Sequence, residues 1–228
     1  MSVRLLLSAY GPPFQMALTC QGQVLASQQG EEEKGLTEVL LPSLQALLDS
    51  QKMTPQQLSS IAVVLGPGSF TGLRILLSTV LGLQKAWDLP VYGFNALEAL
   101  AYPHLKKDIP VWAFLSSVRG EVFGACWEGE VGHYRLVHDP QVFLVREIVQ
   151  DLKKSATPKK IVGSALVHYP EFLEVPGLQK VAQGEKDFSI LSFHHLVEES
   201  LSKGLKPLEK IHPLYLSLSQ AERRLKNT

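Results

Sequence analysis

The sequence predicts an α/β protein of two related lobes, and three observations carry that expectation. A β-branched apolar run, Ile61 to Leu65, breaks at Gly66-Pro67-Gly68 and passes into a helical stretch, the strand–turn–helix unit of α/β proteins. Each half of the chain opens with three strands and then alternates helix and strand, a rhythm shared without any direct sequence repeat. The 228 residues, 45% apolar and 19% charged, supply enough chain for one large core or two small ones.

Taken in order, residues 3 to 9 read as a buried strand ended by Gly11-Pro12-Pro13. Residues 14 to 20 and 23 to 28 alternate as two strands joined at Gln21-Gly22. A solvated loop, Glu31-Glu32-Glu33-Lys34-Gly35, leads to a helix over 36 to 50, in which Pro42 should bend the axis or remove a hydrogen bond. Thr54-Pro55 opens a short turn at 54 to 59. The strand at 61 to 65, a helix at 69 to 88, a strand at 91 to 94 and a helix at 95 to 102 complete the first half. Pro103 to Pro110, polar and flanked by prolines, reads as the linker, so the lobes are expected at 1–103 and 104–228. The second half runs through strands at 111–117, 121–127 and 132–137, a helix at 145–153, a strand at 159–162 and a helix at 188–201. The tail from Ala221 to Thr228 is polar and basic and is expected to fray.

Bulk properties exclude several classes. With 22 basic and 22 acidic residues the formal charge is zero, which argues against a stand-alone nucleic-acid binder. The opening apolar run is too short for a signal peptide or a membrane span, so the expectation is a cytoplasmic protein without membrane contact. Cys20 and Cys126 lie far apart and read as reduced, partly buried thiols. The seven histidines form no His-x-x-x-His or His-Glu-x-x-His pair, so no metal site is expected. His194/Glu198 and His195/Glu199 share helix faces and read as a solvated ion-pair face.

The turn Gly66-Pro67-Gly68-Ser69-Phe70-Thr71-Gly72 is the candidate site of greatest information. A glycine-rich turn entering a helix leaves free N–H groups and the positive dipole end, a natural phosphate cradle. Here the Gly-Lys-[Ser/Thr] ending of a P-loop is missing, and the glycines read better as devices for close packing. Two helices carry apolar residues around most of their circumference. The one at 69–88 presents Phe70, Leu73, Ile75, Leu76, Leu77, Val80, Leu81, Leu83 and Trp87, and the one at 36–50 is similarly wide. Burial on two sides within the chain and an exposed patch covered by a partner are the two readings, and two such helices in a small lobe favour the partner. The docking residues expected are Leu36, Val39, Leu40, Leu73, Leu76, Leu77, Val80 and Leu81.

At these residues the chain resembles the TsaB/YeaZ family of bacterial tRNA threonylcarbamoyladenosine proteins. Gly66-Pro-Gly-Ser-Phe-Thr-Gly-Leu-Arg-Ile75 looks like that family's signature, Thr37-Glu-Val-Leu-Leu-Pro42 like its helix start, Arg119-Gly-Glu-Val-Phe123 like its hairpin, and Pro213-Leu-Tyr-Leu216 like its C-terminal motif. The resemblance implies a two-lobed actin-like, sugar-kinase-like (ASKHA) fold, each lobe a mixed sheet with helices. It implies a non-catalytic scaffold that helps place threonylcarbamoyl on the adenosine beside the anticodon. The implied partners are a TsaD-type catalytic paralogue, docked through helices 36–50 and 69–88, and a TsaE-type ATPase, with tRNA reached indirectly. No cofactor is implied; a nucleotide at the partner interface, with Arg119 as its contact, is left open.

The chain also departs from the family. Ser8-Ala9-Tyr10 stands where Asp-Thr-Ser usually ends the first strand, Ser116 or Ser117 replaces the hairpin aspartate, and Leu36 replaces a histidine. Actin-like ATPases use such carboxylates to hold magnesium, so their loss fits a protein that turns over no nucleotide. The competing reading is an actin-like-fold hydrolase, an ATPase or a glycoprotease-like (Gcp-like) metallopeptidase, against which the missing carboxylates and metal ligands count. A third is a homodimer through the same helices when the chain is alone.

Overall fold

The computed structural model describes residues 2–11, 13–30, 35–118, 120–179 and 188–216. The chain divides into two units, residues 1–96 with 189–214 and residues 97–188 with 215–228.

The first unit is built on a five-stranded sheet in the order β3-β2-β1-β4-β5. Its strands are β1 (Val3–Ser8), β2 (Gln15–Cys20), β3 (Gln23–Gln29), β4 (Leu58–Gly66) and β5 (Val91–Asn95). β2 and β3 run antiparallel on one side of β1, and β4 and β5 parallel on the other. β1 is buried on both faces, so it reads as a continuous apolar run. Val3, Leu5 and Leu7 face one core together with Met16, Leu18, Ile61 and Val63. That core is covered by α1 (Leu36–Ser50) and α2 (Phe70–Trp87). Against the opposite face lies α6 (Ile190–Ser202). Arg4 pairs there with Glu198, the Ile190 N–H donates to Gln15 Oε1 at 2.8 Å, and Phe193 meets Phe94 edge-to-face with centroids 5.1 Å apart.

α1 runs through Pro42 without interruption. The missing N–H would have served the Glu38 carbonyl, and both residues are solvent-exposed, so water can replace the bond. α2 is capped where the sequence places the cap: the Gly72 N–H donates to Ser69 Oγ at 3.2 Å, and Asp88 ends the helix in a left-handed conformation.

The second unit repeats the arrangement. Its sheet runs β10-β9-β6-β7-β8. The strands are β6 (Lys106–Ser116), β7 (Glu121–Glu130), β8 (His133–Leu144), β9 (Lys159–Val162) and β10 (Leu178–Gln179). Again the first strand is central, with two antiparallel neighbours on one side and two parallel ones on the other. Helix α4 (Val145–Lys153), the short α5 (Ala165–His168) and the 3-10 turn Pro170–Glu174 cover Trp112, Phe114 and Ile161. The short helix α3 (Ala96–Ala101) carries the chain from one unit to the next. The repeat that the sequence hides is therefore plain in the topology.

Three expectations are corrected. The supposed linker 103–110 is a 3-10 turn, Tyr102–His104, followed by the start of β6, and Leu105 and Ile109 are buried there. Helix 190–202 follows the second half in sequence but packs on the first unit, so the division differs from 1–103 and 104–228. The histidine–glutamate face of α6 is arranged otherwise than expected: Glu198 pairs with Arg4, Glu199 with Lys203, and His194 is buried with its ring nitrogens against the Leu191 and Gly22 carbonyls. The loop at 31–34 and the basic tail lie outside the described residues.

Candidate functional site

The strand β4 ends at Gly66, whose φ of +116° only glycine adopts easily, and Pro67 follows through a cis bond. Backbone oxygens crowd the turn. A Cβ at Gly66 would stand 2.9 Å from the Leu214 carbonyl oxygen, one at Gly72 would stand 2.8 Å from the Ala9 carbonyl oxygen, and one at Gly68 would overlap the Tyr10 carbonyl. The Ser69 N–H donates to the Tyr10 carbonyl at 2.6 Å, and the Leu214 N–H to the Leu65 carbonyl at 2.8 Å. The glycines therefore admit the chain's own backbone, from the loop after β1 and from the segment after α6. Three carbonyl oxygens line the turn and two of its N–H groups are already used, a poor environment for a phosphate. Close packing, the reading the sequence favoured, describes this turn. On its outer side Phe70 is half-buried, with the Arg74 guanidinium 3.9 Å above its ring, and Thr71 is exposed.

α1 and α2 lie side by side on one face of the first sheet. Of the eight expected docking residues, Leu40, Leu73, Leu76, Leu77 and Val80 are buried in the unit's own core. Leu36 and Val39 are half-buried against that core, and only Leu81 is exposed. Docking through this set as a whole is therefore corrected: helical spacing turns Leu76, Leu77 and Val80 into the core with Leu5, Leu7 and Val63, and Leu73 is fully buried as well. What faces out is Leu41, 52% exposed, and Leu81, 46% exposed. Ser78, Gly82 and Ala86, four residues apart and all exposed, share the outward side of α2, and nothing would touch a Cβ on Gly82. Sequence periodicity marked both helices but could not choose between faces of such wide apolar stripes.

Arg119 lies outside the described residues. Around it, the hairpin between β6 and β7 is tied down by the Gly120 N–H, which donates to Tyr169 Oη at 2.9 Å. Ser116, at the position of the missing aspartate, meets Ser164 and His168, a cluster that sequence reading did not assemble; the Gly163-Ser164 ending of β9 was its one available sign. Both cysteines are free and buried, and burial, then the Glu128 charge, pushes the Cys126 thiol up to about 12. Among the described residues there is no metal-binding group of His, Cys, Asp and Glu side chains, and no helix is long and apolar enough to cross a membrane.

The duplicated mixed sheets, each with a central first strand and helices on its faces, define a two-lobed protein of the actin-like, sugar-kinase-like class. The solved structure of YeaZ from Pseudomonas aeruginosa has the same fold: it matches with a TM-score of 0.75 at 23% identity, covering 95% of this chain and 100% of that one. A family model described as TsaD, tRNA N6-adenosine threonylcarbamoyltransferase, matches residues 23–189. The tRNA threonylcarbamoyladenosine biosynthesis protein TsaB of Bacillus subtilis (strain 168) is 26% identical over 159 residues, 70% of this chain and 69% of that protein. TsaB of Escherichia coli (strain K12) is 26% identical over 145 residues, 62% and 63% of the two lengths. The chain belongs to the family that the TsaD model describes, and the curated relatives above that it is similar to are TsaB proteins.

Proposed function

We propose that this chain is a non-catalytic subunit of tRNA threonylcarbamoyladenosine biosynthesis that docks a TsaD-type catalytic paralogue through the outward face of α1 and α2. The observation that carries the reading is the pair of exposed leucines, Leu41 and Leu81, on adjoining helices whose inner sides are already filled. The small residues Ser78, Gly82 and Ala86 leave room beside Leu81 for a partner helix to approach closely. Charge is segregated on the same face, with Glu38 and Asp49 exposed on α1 and Arg74 and Lys85 exposed on α2. A partner helix pair of opposite pattern would be steered into register by it.

The non-catalytic part of the reading rests on the two strand ends. β1 runs out at Ser8-Ala9-Tyr10 and the β6–β7 hairpin opens with Ser116-Ser117, so neither supplies a carboxylate to hold magnesium. The glycine turn is occupied by the protein's own carbonyls. In this reading the chain works in the cytoplasm, a TsaE-type ATPase joins the pair, tRNA is bound mainly by the catalytic partner, and any self-dimer uses the same face.

Co-elution of the purified chain with the TsaD-type protein of the same cell tests the reading. Wild type and Leu81→Ala should co-elute, and Leu81→Glu and Leu41→Glu should remain folded and fail to do so. Normal co-elution of both charged variants sinks the docking face. Metal-dependent ATP or peptide hydrolysis by the pure chain sinks the non-catalytic assignment.

A further inference from the structure

The second unit holds a cavity of about 740 Å³ where the amino end of β6 passes the β7–β8 hairpin. That volume lies within the roughly 300–1,000 Å³ of small-molecule sites. The cavity exists because the ladder opens there. Lys106 stands opposite Gly129 and Val111 opposite Trp127, so residues 107–110 of β6 face Glu128 alone. Such bulges re-aim side chains and recur beside functional sites. Within this one, Asp108 has a φ of +62°, in the left-handed region that aspartate enters more readily than most residues.

The charges that line the cavity are not all matched. Across β7 and β8, Arg135 and Glu128 close an ion pair at 3.0 Å. Lys107 and Asp108 are exposed neighbours of opposite sign in the same cavity. Among the described residues neither side chain has an ion-pair or hydrogen-bond partner, and they do not pair with each other. Pro110 and the Tyr134 ring supply the apolar lining. That ring is fixed, because Tyr134 Oη donates to Glu98 Oε1 at 2.9 Å and Tyr102 meets it edge-to-face with centroids 6.0 Å apart. A simple anion would satisfy Lys107 but face the Asp108 and Glu128 carboxylates, and a simple cation would face Lys107 and Arg135. A metal ion is no better served, since among the described residues no group of His, Cys, Asp and Glu side chains could hold one. An open cation and an open anion beside a fixed aromatic wall call for a ligand that carries both charges and an apolar part.

We propose that this cavity binds a small zwitterion of the amino-acid class, either a free amino acid or a short peptide. The ligand carboxylate accepts from Lys107 Nζ, the ligand ammonium donates to the Asp108 carboxylate, and the apolar side chain lies on Tyr134 and Pro110. The proposal is independent of docking through α1 and α2, and its test needs no partner.

The experiment follows the Gly129 and Tyr134 backbone amides of the intact chain by NMR during titration with leucine and with leucylleucine. N-acetylleucine, which lacks the ammonium, and leucinamide, which lacks the carboxylate, serve as comparisons at matched ionic strength. The expected result is a saturable movement with a zwitterion, and the tighter of the two tells the free amino acid from the peptide. Each blocked probe should bind about two- to fivefold more weakly, the worth of one exposed ion pair. Lys107→Met should erase the preference for leucine over leucinamide and keep that over N-acetylleucine. Asp108→Asn, whose side chain also tolerates the left-handed backbone, should do the reverse. No saturable movement with either zwitterion, a response that follows ionic strength alone, or preferences unchanged in both variants overturns the proposal.

Discussion

Leu77 and Leu81 are one helical turn apart on α2, and a glutamate at each should give opposite outcomes. Leu77 is 5% exposed and packs in the core over β1 and β4. A carboxylate there has no partner and must either stay ionised in an apolar core or take up a proton, a penalty of several kcal/mol that threatens the fold. Leu81 is 46% exposed, so the same change there should leave folding within about 0.5 kcal/mol of wild type. The new carboxylate also sits four residues before Lys85, a spacing worth roughly 0.2–0.5 kcal/mol in favour of the helix. Binding is where Leu81→Glu should act. Covering the open half of a leucine contributes about 1 kcal/mol, and desolvating an unpaired carboxylate in its place costs about 1–3 kcal/mol more. The sum, about 2–4 kcal/mol, is a loss of about 30-fold to several hundredfold in affinity for the proposed TsaD-type partner. Circular dichroism melts read the first quantity and calorimetric titration of the partner the second. Unchanged affinity in Leu81→Glu refutes the outward face, and an unchanged melt in Leu77→Glu refutes the inward one.

Gly68→Ala should destabilise by about 1–3 kcal/mol, because its Cβ overlaps the Tyr10 backbone, and at this chain length each kcal/mol lowers the melting temperature by about 2–4 °C; a wild-type melt would contradict the close packing of the turn. Phe193→Ala should cost about 3–5 kcal/mol and raise hydrogen exchange in β1 and β2 of the first unit, since Phe193 is fully buried against Phe94; exchange that rises only in residues 97–188 would place α6 wrongly. Cys126, buried and with its thiol pushed up to about 12, should resist iodoacetamide at neutral pH in the folded chain and react on denaturation; labelling at the rate of a free thiol would show that β7 opens.

Local chemistry decided which parts of this fold could be read from the chain. The strand β4, the turn and α2 were legible because a β-branched run, a glycine break and the Ser69 cap each act within a few residues, and the structure keeps all three. α1 and α4 were legible because their apolar spacing holds for the whole length of the element. The placement of α6 was not, because its partners Arg4, Gln15 and Phe94 lie about a hundred residues or more upstream and no periodicity within the helix names them. α5, the 3-10 turn at 170–174 and the two-residue β10 are too short to show a period, so the cluster around Ser164 stayed hidden. Apolar count misled on both helices: the wide stripes of α1 and α2 each contain a core stripe and an outlying leucine, Leu41 and Leu81. The residues that fill the core are the ones the pattern marks most strongly, and the two left over, Leu41 and Leu81, look ordinary in sequence. The docking face proposed for α1 and α2 is thus foreshadowed in the sequence as excess apolar surface, but its proposed members emerge only when the protein's own core has claimed the rest.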